Sequence, residues 1–152
     1  MRVFYSALYY CLLPLLVLRM LWRSRLAPAY RQRLGERCGY VSRPGANAAP
    51  AIWVHAVSVG ETLAAVPLIE SLLGRFPDCP IVVTTTTPTG SERVRALFGD
   101  RVFHVYVPWD LPGPLRRFLR RTRPRLLVIM ETELWPNMLH QARAAGCDVL
   151  LA

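Results

Sequence analysis

From about residue 51 onward, apolar positions fall into short β-branched blocks separated by stretches with helical spacing. The first block, Ile52-Trp53-Val54-His55-Ala56-Val57-Ser58-Val59, is bounded by Pro50 and Gly60 and is too short for a helix, which predicts a strand. It leads into Thr62-Leu63-Ala64-Ala65-Val66-Pro67-Leu68-Ile69, where the apolar spacing predicts a helix. Glu61 therefore sits where strand hands over to helix, a place to which the positive end of the helix dipole draws a carboxylate. Such a carboxylate suits a base or an anchor, and a plain helix cap explains it equally well.

The alternation continues along the chain. Ile81 to Thr86 predicts a second strand, ended by Thr87-Pro88-Thr89-Gly90 and followed by a helix from Ser91 to Phe98. Val102 to Val107 predicts a third, closed by Pro108-Trp109-Asp110-Leu111-Pro112-Gly113. An amphipathic helix with Arg116, Arg117, Arg120 and Arg121 on its basic face comes next. The fourth strand runs from Arg125 to Met130 into the loop Glu131 to Asn137, another helix extends to about Ala145, and Val149 to Ala152 begins a fifth strand. Strands alternating with helices of this length imply an α/β fold with a parallel sheet and helices on both faces.

The first 50 residues follow a different pattern. Val3 to Leu18 is uncharged and apolar, interrupted by Arg19 before Met20-Leu21-Trp22. Residues 1–25 are a membrane-anchor candidate, slightly short of the roughly 20 apolar residues of a spanning helix unless Arg19 snorkels to the headgroups. Bulky cationic residues from Arg19 to Arg25 replace the small-residue cleavage site of a secretory signal. Arg23, Arg25, Arg31, Arg33 and Arg37 outnumber Arg2 and the amino terminus, which puts the rest of the chain on the cytoplasmic side. A buried core helix is the alternative. Residues 26–50 comprise a short basic helix around Ala27 to Arg37 and a turn-rich linker from Ser42 to Pro50, so the globular domain spans residues 51–152.

Composition narrows the chemistry. A 53% hydrophobic content excludes disorder, and 19 basic against 10 acidic residues, all the basic ones arginine, point to an anionic partner. The four cysteines and three histidines are scattered, with no zinc spacing and no disulfide framework, which fits a reducing compartment. In an open parallel sheet, ligands bind beyond the carboxyl ends of the strands. The loops with unusual residues, at Gly60-Glu61, Thr84 to Gly90, Pro108 to Asp110 and Glu131 to Asn137, all fall on that rim. Neither a dinucleotide fingerprint nor a P-loop occurs, nor a Gly-x-Ser-x-Gly elbow, nor an Asp-x-Asp pair to chelate a divalent ion. Carboxylate chemistry at Glu61, Glu131 and Glu133 remains, suited to taking a proton from an attacking hydroxyl and to stabilising positive character at a sugar carbon. Trp53, Trp109 and Trp135 are either stacking platforms or packing residues.

Three stretches carry a resemblance: His55-Ala56-Val57-Ser58-Val59-Gly60-Glu61-Thr62, Thr84 to Arg93 around Thr87-Pro88-Thr89-Gly90, and Met130-Glu131-Thr132-Glu133-Leu134-Trp135-Pro136-Asn137. Together they resemble the amino-terminal domain of the 3-deoxy-D-manno-octulosonic acid (Kdo) transferases of lipopolysaccharide assembly. The resemblance implies a Rossmann-like half of a GT-B glycosyltransferase, inverting and metal-independent, with no cofactor. Its implied partners are CMP-Kdo as donor, a lipid A precursor (lipid IVA) as acceptor, and the cytoplasmic face of the inner membrane, with no nucleic acid. By position it implies Glu61 as general base and Glu131 as transition-state stabiliser, with Ser58, Gly60, Thr86, Thr89, Gly90, Glu133 and Asn137 as substrate-binding candidates. The family's second, donor-binding domain has no counterpart in these residues, so the chain resembles a fragment and the 152-residue polypeptide alone is expected not to turn over. A non-catalytic membrane-associated module that binds an anionic glycolipid through the same rim is the rival reading.

Overall fold

The computed structural model describes residues 2–45, 49–131 and 134–152. Five strands, β1 (Ala51–His55), β2 (Ile81–Thr85), β3 (Phe103–Tyr106), β4 (Pro124–Ile129) and β5 (Asp148–Leu151), form one sheet in the order β3-β2-β1-β4-β5. Every neighbouring pair is parallel. The expected α/β architecture is therefore present, and the chain crosses from one side of β1 to the other between β3 and β4. The carboxyl ends of β1 and β4 thus form a topological switch point, the place where open parallel sheets bind their ligands.

Alternation along the buried strands splits the core in two. Trp53, Val82, Leu127 and Ile129 face α6 (Pro112–Thr122) and α7 (Pro136–Ala144), where Phe118 and Met138 are completely buried. Ile52, Val54, Ile81, Val83 and Val128 face the other way, toward Ile69 of α4 (Val66–Arg75) and Val94 and Phe98 of α5 (Pro88–Phe98). Trp53 is a core residue: its indole packs 4.8 Å from Phe118, and Nε1 donates to Thr84 Oγ1 at 2.8 Å.

Several element boundaries differ from the pattern-based expectation, each for a local reason. The first strand ends at His55, because Ser58 caps a helix, α3 (Val59–Ala64), that begins three residues before the expected Thr62. That helix then breaks at Ala65, and Pro67 near the start of α4 fits only in a first turn. Likewise α5 begins at Pro88, capped by Thr87, so Thr89 and Gly90 lie in its first turn instead of a loop. Pro136 starts α7 and places Asn137 inside it. The short basic helix is two pieces, a 3-10 turn at Pro28–Arg31 and the single-turn α2 (Leu34–Arg37), separated by Arg33 at φ 57°. The side chain of Arg33 holds that strained backbone by bonding Glu36 at 2.7 Å and the His104 carbonyl at 2.7 Å. The apolar helix α1 (Arg2–Arg23) runs for 22 residues with Pro14 inside it.

Candidate active site

The loop after β1 is built around a reciprocal cap. Ser58 Oγ accepts from the Glu61 amide at 3.2 Å, while the Glu61 carboxylate accepts from the amides of Val57 (Oε2, 2.8 Å) and Ser58 (Oε1, 3.2 Å). Both orphan donors of the helix start are satisfied in this way. The cap is thus real, and it does not exhaust the carboxylate: each oxygen accepts one bond from the backbone, and a carboxylate offers about four acceptor sites. Glu61 is 6% exposed, with exposed Gly60 beside it.

Glu131 lies across the switch point. His55 pairs with Ile129 in register, the Met130 amide donates to the His55 carbonyl at 3.0 Å, and the next residue is Glu131. Its φ of 58° puts a non-glycine residue in the left-handed region, a conformation that concentrates at functional sites. Glu61, in the first turn of α3, and Glu131, two residues past β4, therefore follow the carboxyl ends of the two neighbouring central strands. Glu133 lies outside the described residues.

The second rim loop is tied to the first. Thr86 Oγ1 donates to the Val57 carbonyl at 2.8 Å and so links the loops that follow β1 and β2. Thr89 is exposed, whereas Gly90 is buried, and a Cβ there would sit 3.1 Å from Thr87 Oγ1 and 3.3 Å from the Thr85 Cβ. Glycine at 90 thus lets the capped first turn of α5 close onto β2. Asn137 is fully buried and its Nδ2 donates to the Asp110 carbonyl at 2.8 Å. Sequence reasoning placed Ser58, Gly60, Thr86, Thr89, Gly90 and Asn137 on this edge, and all six lie there, Ser58, Thr86, Gly90 and Asn137 with protein hydrogen bonds or close packing of their own.

Two rim residues escaped the sequence-based candidates. Asp110, fully buried, accepts from the amides of Asn137 (3.2 Å) and Met138 (2.7 Å) and so caps α7 from another part of the chain, in place of a cap from the N-cap residue's own side chain. Burial pushes its pKa up, opposed by those amides and by Tyr5. Arg37 is 6% exposed, donates to the Thr86 carbonyl at 2.7 Å and lies over the Tyr106 ring at 4.5 Å. Burial lowers its pKa. An arginine in a basic segment carries no sequence mark of burial, and Asp110 precedes α6, whose N-cap is Leu111, so nothing local marks it as the cap of α7.

Behind the rim, His55 and His104 are held neutral. Burial lowers His55 to about 4, with Nδ1 2.9 Å from Thr84 Oγ1 and the ring edge-on to Trp135 at 5.4 Å. His104 is lowered to about 3 by burial and by the charges of Arg33 and Arg95. No group of three potential metal ligands occurs among the described residues. A separate cavity of about 830 Å³, lined by Arg116, Arg120, Arg123 and Pro124 among others, opens at the amino-terminal edge, away from the carboxylates.

A doubly wound parallel sheet flanked by helices, with no glycine-rich phosphate loop in the sequence, defines a Rossmann-like α/β domain. Residues 32–152 match the pattern of the 3-Deoxy-D-manno-octulosonic-acid transferase (kdotransferase) family. The chain is 47% identical over 140 residues to the 3-deoxy-D-manno-octulosonic acid transferase of Haemophilus influenzae, covering 92% of this chain and 33% of that protein. It is 42% identical over 153 residues to the Bordetella pertussis protein of the same name (92% and 34%), and 38% identical over 140 residues to a probable mitochondrial one of Arabidopsis thaliana (91% and 31%). The chain belongs to the Kdo transferase family. It spans about a third of the length of the curated relatives it matches.

Proposed function

We propose that this domain is the acceptor side of an inverting, metal-independent glycosyltransferase that moves Kdo from CMP-Kdo to a lipid A precursor in lipopolysaccharide assembly. The observation that carries the reading is the pair Glu61 and Glu131 on either side of the β1–β4 switch point, in a chain of this family. Glu61 takes the proton from the attacking acceptor hydroxyl through a lone pair that its cap leaves free, and the hydroxyl oxygen then attacks the sugar carbon as CMP departs. Glu131 stabilises the positive character that develops at that carbon. Ser58 and the Val57 amide hold the base in place, while Gly60, Thr86, Thr89, Gly90, Glu133 and Asn137 shape or support the acceptor's seat. The donor nucleotide is held mainly by a second domain. Residues 1–25 attach the protein to the inner membrane with the globular domain on the cytoplasmic face.

The test is transfer of labelled Kdo from CMP-Kdo to lipid IVA by the full reading frame, with a chelator present, beside the 152-residue polypeptide. Transfer by the first and none by the second is expected. No transfer by the full reading frame, with acceptor bound, supports the non-catalytic glycolipid-binding module in its place.

A further inference from the structure

Among the described residues α1 is the one helix long and apolar enough to cross a membrane, with a mean hydropathy of 1.6 over its best window. Its two faces are not alike. Phe4, Leu8, Leu12, Leu15, Leu18 and Trp22 recur every three or four residues and are all exposed, four of them by 60% or more. The opposite face is turned to the protein. Asn137 Nδ2 donates to Ser6 Oγ at 3.0 Å, Tyr5 and Tyr9 direct their hydroxyls at Asp110, and Met20 and Ser24 are buried.

These contacts fix both ends of the helix to the same body. The carboxyl end continues through Arg33, Glu36 and Arg37, which are bonded to His104 and Tyr106 of β3 and to Thr86 just after β2. The amino end is held at Asp110 and Asn137. In a spanning helix Ser6 would stand about 26 Å from Arg23 across the hydrocarbon, on the side opposite the globular domain. The Ser6–Asn137 bond and a transmembrane course are therefore mutually exclusive.

The occupant of the outer face follows from its chemistry. A groove of about 550 Å³ at the carboxyl end of α1 combines Leu18, Leu21 and Trp22 with Arg25 and Arg31. Apolar walls beside two guanidinium groups match an acyl chain with its phosphate, and the chain carries a formal charge of +9. We propose that α1 lies in the plane of an anionic bilayer, one face docked on the globular domain and the other sunk among the acyl chains, instead of crossing the membrane. This rests on the reading of residues 1–25 as the membrane-attaching element. It places the rim at Asp110 and Asn137 beside the lipid surface from which a lipid-linked acceptor must be drawn.

The experiment is protease protection of an amino-terminal epitope tag on the full reading frame in inner-membrane spheroplasts, sealed and lysed. An in-plane helix leaves the tag uncut when sealed and cut after lysis. Cutting in sealed spheroplasts overturns the proposal, and Kdo transfer assayed on the same membranes then stands or falls separately. A second measurement reads depth: spin labels at Phe4→Cys, Leu12→Cys and Trp22→Cys, with Cys11, Cys38 and Cys79 replaced by serine. Equal shallow depths are expected, whereas a maximum at residue 12, or no lipid contact at any of the three, overturns it. The outward pair Leu8→Asp and Leu15→Asp should lower partitioning onto vesicles containing phosphatidylglycerol at least tenfold, and unchanged partitioning argues against the outer face as the contact.

Discussion

Replacing Glu61 by glutamine separates the cap from the chemistry, and the structure sets the size of the structural part. In the wild type the carboxylate accepts two backbone amides, Val57 at 2.8 Å and Ser58 at 3.2 Å. An amide group keeps one acceptor oxygen and turns its own N–H toward the other donor, so one charge-assisted bond, worth about 1.5–3 kcal/mol, is lost. The favourable charge at the start of α3 goes with it, about 0.3–1 kcal/mol. Glu61→Gln should thus cost about 2–4 kcal/mol, a fall in Tm of roughly 4–16 °C for a domain of this size. Ser58→Ala removes only the reverse bond to the Glu61 amide and should cost about 1 kcal/mol. Because the two bonds share one turn, the double variant should lose less than the sum, by about 0.5 kcal/mol or more. Urea denaturation in detergent micelles, with CD as the signal, measures all three. A Glu61→Gln protein as stable as the wild type would refute the capping account.

Other perturbations probe separate parts of the fold. Asp110→Ala leaves the buried amides of Asn137 and Met138 without partners and should cost about 2–4 kcal/mol by urea denaturation, with increased proteolysis near the start of α7. Gly39 has φ +80°, and a Cβ there would clash with the Pro114 carbonyl oxygen; Gly39→Ala should lower stability by at least about 2 kcal/mol in the same assay, and an unchanged midpoint would contradict this close approach of Gly39 to α6. His55 stays neutral in the folded protein down to about 4, while the unfolded chain titrates near 6.5. The unfolded state therefore binds more protons between those values, and stability falls as pH drops through that window, by about 2 kcal/mol between pH 7.5 and 5. A His55→Asn variant should show a shallower fall, and equal slopes would refute the assignment.

How far the sequence foretold this arrangement depends on which forces act locally. The strands were legible because Ile81-Val82-Val83 and Leu126-Leu127-Val128-Ile129 are β-branched and apolar runs buried on both faces. The helix starts were misplaced because apolar content carried the first strand prediction past His55, although Ser58-x-x-Glu61 has the capping-box spacing. Contacts between distant segments left no comparable trace. Asp110 capping α7, Arg37 buried beneath the rim and Ser6 meeting Asn137 each depend on the assembled fold. Hydropathy marked α1 as lipid-compatible; its orientation comes from which residues the domain covers.

The central claim is that Glu61 is the base, and single-turnover Kdo transfer by the full reading frame tests it most directly. Wild type and Glu61→Gln are compared well below both melting temperatures, with lipid IVA binding measured in each. The account predicts transfer slowed by about 10²–10⁴-fold with acceptor affinity preserved, a loss that a folded protein's reduced stability does not produce. Transfer at the wild-type rate by the folded Glu61→Gln protein would contradict it, leaving Glu61 as a helix cap alone.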